Sequence, residues 1–387
     1  MRVLCTCVPG YGHFHPIVPV ARALEDAGHE VAFATEERFC ARVRAAGFRA
    51  FPVGLGPGRV AQLTLALPDV AGPGPDEAWR FGAQMFAEVA APAKLPDLLD
   101  VVGEWRPHLV VSDVTDFAGP VAAAAAGVAH AGHGLGPLFP MEFHRRGAEL
   151  VAPVWHERGL APPPLGGMFD QAYLDICPPS LQSAGIDEVG AAARSVRPVA
   201  FDAVAGETLP AWVGELAAQP TVYVTLGTLD NDAPEVFRAV VQGLRDEPVN
   251  VIVTVGPDGD PEQLRPQPSN VRVERYVPQS LLLPHCDVVV AHGGSGTTLA
   301  ALAHGLPLLV LPQGANQFWN ADRCADLGVG IRLLPADVDP AAVHEAVGAL
   351  LELPAYRERA GELAGEISRM PPPEDVVPLL ERLAQKG

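Results

Sequence analysis

Val288-Val289-Val290-Ala291-His292-Gly293-Gly294-Ser295-Gly296-Thr297-Thr298 is the stretch that decides the fold. An apolar run ends in a Gly-rich turn, and a helix-forming run at 299–304 follows at once. A strand that stops and re-enters as a helix leaves free backbone N–H groups at the helix start. With the positive end of the helix dipole they form a seat for phosphate. Gly293, Gly294 and Gly296 let the backbone approach an anion closely, and His292, Ser295, Thr297 and Thr298 add side-chain donors. No Gly-Lys-Ser/Thr follows, so this is no Walker loop, and the glycine spacing is not that of a dinucleotide fingerprint. Alone, such a turn is an ordinary strand-to-helix connection. Here Pro312-Gln313-Gly314-Ala315-Asn316-Gln317 ends the next apolar run. Loops after successive parallel strands open on one sheet edge. Two polar loops there point to a nucleotide-sugar site.

Outward from that stretch the chain alternates strand and helix. Residues 1–8 read as a buried strand, 9–13 as a turn and 16–27 as a helix stopped at Gly28. A strand at 30–35 and a helix stopped by Gly47 follow, the rhythm of a parallel, doubly wound sheet. Residues 52–80, rich in Gly and Pro, read as a long loop, and 83–102 as a helix broken at Pro92 and Pro96. Strands at 108–112 and 128–131 flank a small-residue helix at 121–126. Residues 132–179 are the least regular stretch, with Pro162-Pro163-Pro164. A second series opens at 221–226, with a helix at 235–244 and strands at 249–255, 271–274, 288–291, 306–311 and 328–333. The expected domains are 1–202, a linker at 203–220, 221–370, and a C-terminal helix at 371–387 free to pack back on the first. A ligand between facing strand edges is the natural inference.

Composition narrows the function. A chain of 387 residues has room for two cores, and 48% hydrophobic residues is ordinary for a globular protein. A formal net charge of −19 argues against a general nucleic-acid or anionic-membrane binder. No run approaches the length of a membrane-spanning helix, and the first residues read as a strand rather than a signal peptide. Cys5 and Cys7 share one strand face, a poor geometry for a disulfide. With no metal-ligand spacing elsewhere, buried free thiols in a cytoplasmic protein are the expectation. Asp258-Gly259-Asp260 and Asp337-Val338-Asp339 read as solvated turn acids, so no metal is expected.

In the first half, Gly10-Tyr11-Gly12-His13-Phe14-His15-Pro16 lies where the first strand gives way to its helix. A helix start disfavours imidazolium, keeping a ring such as His13 able to accept a proton. Ser112-Asp113-Val114-Thr115-Asp116 ends another buried run on the same edge. Asp113, nearest the strand end, is placed to orient His13 and stabilise its charged form. Asp116 reads as a solvated or capping acid.

Together these residues resemble the inverting GT-B glycosyltransferases of family 1, particularly bacterial enzymes that decorate natural products. The resemblance runs through Gly12-His13-x-x-Pro16, Pro107-His108-Leu109-Val110-Val111-Ser112-Asp113 and Thr225-Leu226-Gly227-Thr228. It continues in Val277-Pro278-Gln279, His292-Gly293-Gly294-Ser295-Gly296-Thr297 and Pro312-Gln313-x-x-Asn316-Gln317. It implies an α/β GT-B fold of two Rossmann-like domains facing across a cleft, with His13 as general base and Asp113 as its partner. It also implies that Thr228 and the glycine turn hold the β-phosphate and that His292 holds the α-phosphate. Gly293, Gly294, Ser295, Gly296 and Thr297 would supply diphosphate donors. Val277 and Gln279 would frame the base and ribose, and Asn316 and Gln317 would bind sugar hydroxyls. The family usually has Asp where this chain has Asn316, which fits a deoxy- or aminosugar. Tyr276 and Val277 stand where plant members have a base-stacking aromatic, which fits bacterial members using thymidine or uridine diphosphate sugars.

No cofactor is implied beyond the dTDP- or UDP-sugar co-substrate, and the partners are that donor and a hydrophobic acceptor, with a homodimer left open. Trp79, Met85, Phe86, Phe139, Met141 and Phe143 are candidates to line an apolar acceptor pocket. Two rival readings remain: a nucleotide-sugar epimerase on the same architecture, which needs catalytic carboxylates, and a non-catalytic auxiliary protein that keeps the fold.

Overall fold

The computed structural model describes residues 1–54, 75–202, 207–227, 233–256 and 259–385. The chain forms two compact units. The first comprises Met1–Pro178, Gln182–Val199 and Met370–Gly387, and the second Pro179–Leu181 and Ala200–Arg369.

In the first unit, strands β1 (Arg2–Thr6), β2 (Glu30–Thr35), β3 (Arg49–Pro52), β4 (Leu109–Asp113), β5 (Ala129–His133), β6 (Tyr173–Asp175) and β7 (Ala193–Ser195) make one sheet. Their order is β3-β2-β1-β4-β5-β6-β7, and every pair is parallel. The second unit carries β8 (Thr221–Thr225), β9 (Asn250–Thr254), β10 (Val271–Glu274), β11 (Val288–Ala291), β12 (Leu308–Val310) and β13 (Gly330–Arg332). Their order is β10-β9-β8-β11-β12-β13, again all parallel. Each sheet therefore reverses its direction of growth once, between β1 and β4 and between β8 and β11. Connections leaving those neighbours part to opposite faces and open a crevice at the carboxyl edge. Every residue of β4, β8 and β11 is buried, as strands covered on both faces must be.

Helix departures have identifiable causes. Residues 75–105 are helical, as Pro75–Ala83, a π-helical turn at Gln84–Ala90 and Ala91–Trp105. Expected breaks at Pro92 and Pro96 do not occur. Pro92 falls in the first turn of its helix, where no N–H partner is missed, and Pro96 is carried inside it. Residues 132–179 hold a helix of 17 residues, Met141–Glu157, where an irregular stretch was expected. Leu95, Leu98, Val102, Phe117, Val121, Phe143, Val151 and Trp155 from these helices form much of the first unit's core. The edge strands β3 and β7, and β6 beside β7, also add to what the sequence pattern predicts.

The C-terminal helix Val377–Ala384 belongs to the first unit, with Glu381 Oε1 at 3.0 Å from His29 Nε2. The Arg197 N–H donates to the Pro371 carbonyl at 2.7 Å. All six cysteines are buried and none is in a disulfide, and burial pushes the Cys5 and Cys7 thiols well up. Among the described residues no helix is long and apolar enough to cross a membrane, and no group of three or more His, Cys, Asp or Glu could hold a metal ion.

Candidate active site

At the β1–β4 crevice the chain leaves β1 through Cys7 to Gly10 and enters a one-turn helix, Tyr11–Phe14, that carries His13. Asp113 closes β4 and is fully buried. His13 Nδ1 lies 3.4 Å from Asp113 Oδ1, long for a hydrogen bond. Thr115 fills the interval. Its hydroxyl donates to Asp113 Oδ1 at 2.5 Å and lies 3.2 Å from His13 Nδ1. This network assigns the ring proton to Nδ1 and leaves the Nε2 lone pair free to accept one. The His13 side chain is 19% exposed, so a substrate hydroxyl can reach it. Burial works against the Asp113 carboxylate. The His13 charge and hydrogen bonds from His13, Thr115 and the Val8 N–H outweigh it and hold its pKa below the usual carboxylate range.

Thr115 carries no role in the sequence reading, since nothing in the spacing shows which group of the loop turns back. Asp116, expected as a solvated or capping acid, is 3% exposed and so not solvated; its Oδ1 accepts from the Ala118 N–H at 3.3 Å, at the start of the helix Ala118–Ala126, and its Oδ2 pairs with Lys94 Nζ at 2.5 Å.

At the β8–β11 crevice, His292 follows β11, and the helix Ser295–Ala303 begins with Gly294 preceding it. The imidazole packs against two glycines. A Cβ on Gly227 would stand 2.7 Å from His292 Cε1, and one on Gly294 would stand 2.5 Å from Nε2. Gly227 also has φ +84°, which disfavours other residues. Burial lowers the His292 pKa to about 4, so the ring is neutral at pH 7, and among the described residues its Nδ1 has no hydrogen-bond partner. Space beside Gly296 is open on the side a Cβ would take.

The neighbouring loop is pinned to this turn. Asn316 Nδ2 donates to Ser295 Oγ at 2.9 Å, and Asn320 Nδ2 to Ser295 Oγ at 3.1 Å and to the Gly293 carbonyl at 2.7 Å. Gln317 Oε1 accepts from the Gln313 and Gly314 N–H groups at 2.7 and 3.1 Å. Ala315, between these side chains, has φ +51°, a strained conformation for a residue with a Cβ. Gln279 Nε2 reaches Thr297 Oγ1 at 3.2 Å, and Val277 is buried. Gln279, His292, Gly293, Gly294, Ser295, Gly296, Thr297, Asn316 and Gln317 thus lie in one hydrogen-bonded or packed cluster, together with Asn320, which the sequence reading passes over. Thr228 lies outside the described residues.

Of the aromatic candidates, Phe86 lies beside His13, the two ring centroids 5.9 Å apart. It sits on the π-helical turn, a feature frequent at functional sites. Phe139 stacks on Phe143 at 4.9 Å. Phe143 and Met141 are buried core side chains, whereas Trp79, Met85, Phe86 and Phe139 are partly buried. Asp260 and Asp339 accept from backbone N–H groups of the turns they begin, and Asp337 is exposed; Asp258 lies outside the described residues.

Two parallel sheets, each with polar loops at its own reversal point, are the GT-B architecture of two Rossmann-like domains. The structure of the spinosyn rhamnosyltransferase SpnG complexed with thymidine diphosphate matches with a TM-score of 0.83 at 29% identity, covering 98% of this chain and 100% of that one. The chain belongs to the family described as erythromycin biosynthesis protein CIII-like, whose N-terminal domain matches residues 22–227 and whose C-terminal domain matches 239–383. It is similar to the L-demethylnoviosyl transferase of Streptomyces niveus, 34% identical over 96% of each chain. It is also similar to the 10-deoxymethynolide desosaminyltransferase of Streptomyces venezuelae, 30% identical over 99% of this chain and 97% of the relative. The protein is accordingly a nucleotide-sugar-dependent glycosyltransferase of the natural-product type.

Proposed function

We propose that the chain transfers a deoxy- or aminosugar from a dTDP- or UDP-sugar to a hydroxyl of a small hydrophobic natural product, inverting the anomeric configuration. The observation that carries this is the His13–Thr115–Asp113 arrangement at the β1–β4 crevice, with Nδ1 of His13 turned to Thr115 and Asp113 and its side chain 19% exposed. His13 Nε2 takes the acceptor proton while the acceptor oxygen bonds to the anomeric carbon. The bond from that carbon to the diphosphate oxygen breaks on the opposite face, and the diphosphate leaves. Asp113, held ionised, stabilises the imidazolium that forms. His292 and the start of Ser295–Ala303 receive the charge on the diphosphate.

A thymidine or uridine donor and a deoxy- or aminosugar are supported by Asn316 and Val277, and by relatives whose names record demethylnoviosyl and desosaminyl transfer. Trp79, Met85, Phe86 and Phe139 are the proposed acceptor contacts. An epimerase reading finds less support, because Gln279, His292 to Thr297, Asn316, Gln317 and Asn320 include no carboxylate.

The test is mass spectrometry of products from a panel of dTDP- and UDP-sugars with polyketide and phenolic acceptors, using wild type and His13→Ala. Transfer is expected to fall by about 10²–10⁴-fold in the variant while thymidine diphosphate binding survives. Preserved turnover would remove His13 from the chemistry.

A further inference from the structure

Beneath the proposed base lies a buried charge pair that the reaction scheme does not use. Lys94, 9% exposed, and Asp116, 3% exposed, form an ion pair inside the first unit. Asp116 Oδ2 accepts from Lys94 Nζ at 2.5 Å and from the Thr6 hydroxyl at 2.6 Å, and Oδ1 accepts from the Ala118 N–H at 3.3 Å. Lys94 Nζ also donates to the Cys7 carbonyl at 3.1 Å. That carbonyl belongs to the same peptide group as the Val8 N–H, which donates to Asp113 Oδ2 at 2.8 Å. One peptide plane therefore stands between an ammonium on its oxygen side and the His13 partner carboxylate on its hydrogen side.

We propose that Lys94 is a positioning residue for the His13 base, acting through the Cys7–Val8 peptide on Asp113. An ammonium at the carbonyl polarises the peptide and strengthens its N–H as a donor, because hydrogen bonds in series reinforce one another in a medium of low dielectric. Asp113 Oδ2 is thereby fixed and part of its charge drawn away from His13, while Oδ1 faces Thr115 and the imidazole. The same peptide begins the turn on which His13 rides, so the ammonium also sets the ring's approach. Asp116 balances the charge of Lys94, leaving the dyad with a single carboxylate of its own. A buried ion pair is weak evidence for stability, and a positioning role accounts for its place here.

Other titratable groups face this assembly. The Cys7 thiol is pushed up by burial. Burial also raises the carboxyl of Glu36, at the end of β2, against the opposing charges of Arg38 and Lys94. His133, at the end of β5, is held neutral by burial, with a pKa of about 4.

The inference rests on His13 as base, and its test is read without turnover. The His13 ring resonance, assigned by its loss in His13→Ala, is titrated by NMR in full-length wild type, Lys94→Met and Asp116→Asn, with circular dichroism confirming the fold. Removing the cation is expected to move the titration of His13 upward by about half a pH unit, and removing the anion to move it downward by a similar amount. A merely structural pair would shift both variants in the same direction or neither, and either result overturns the proposal. Should Lys94→Met fail to fold, Lys94→Gln, which keeps a donor for the Cys7 carbonyl, takes its place. Retained transfer in His13→Ala would defeat the base assignment alone, whereas unchanged titrations would defeat the role of Lys94 alone.

Discussion

Thr115 bridges a gap that the His13–Asp113 pair leaves open at 3.4 Å. Thr115→Val keeps its shape and removes the bridging hydroxyl, leaving the imidazole without its best-oriented acceptor. The expected result is a fall in kcat of about 10-fold with little change in KM for either substrate. Steady-state kinetics check this, and a change in KM alone would place Thr115 outside the chemistry. On the donor side, Gly294→Ala is backbone-compatible at φ −60° but puts a methyl 2.5 Å from His292 Nε2. The ring must turn away, so calorimetry should show thymidine diphosphate affinity falling by about 10-fold or more. At this scale the sequence is informative about residue types and poor about partners. His13 and Asp113 stand at strand ends and can be found from the pattern. Thr115 acts because the Asp116 N–H folds back on the Asp113 carbonyl at 2.9 Å, a turn that no spacing announces. Asp116 looked like surface for the same reason: its cation comes from Lys94, 22 positions away.

Among elements, the parallel strands were the most legible, because strands covered on both faces read as unbroken apolar runs between turn residues. The helix Met141–Glu157 was not legible as a helix, although Phe143, Gly147, Val151 and Trp155 recur at four-residue spacing on its buried side. Pro153 and the nearby prolines interrupt that period in the sequence, and so does Gly147. Its place is steric: a Cβ there would stand 2.2 Å from the Phe117 ring. Gly147→Ala is expected to destabilise the first unit by about 1–3 kcal/mol through overpacking, read as a lower unfolding temperature. A gain in stability, as helix propensity alone would give, would contradict the packing account. The π-helical turn at Gln84–Ala90 is equally invisible in sequence, yet it carries Phe86 to within 5.9 Å of the His13 ring centre.

For the whole molecule, acid should be the weak side. Burial keeps His130 and His144 near a pKa of about 3 and His133 and His292 near about 4, against about 6.5 in an unfolded chain. Between those values the unfolded chain binds more protons, so stability falls as pH drops below about 6.5. Asp175, raised to about 6 by burial, works the other way, as do Glu36 and Asp170, whose carboxyls burial also raises, against the larger downward shifts of the four histidines. Thermal unfolding from pH 7.5 to 5 should show a falling transition, and His144→Phe should flatten that slope. His144 is suited to this test because, among the described residues, neither ring nitrogen has a hydrogen-bond partner and its neighbours include Phe143 and Phe169.

The return of Met370–Gly387 to the first unit carries a practical consequence for recombining such enzymes. A chimera made by swapping residues 1–199 alone would seat a foreign tail on β4, β5 and the helix Val18–Asp26. The pairings of His29 with Glu381 and of Arg197 with Pro371 would then join halves that were never selected together. A graft that moves both pieces needs two crossover points, one on each side of the second unit.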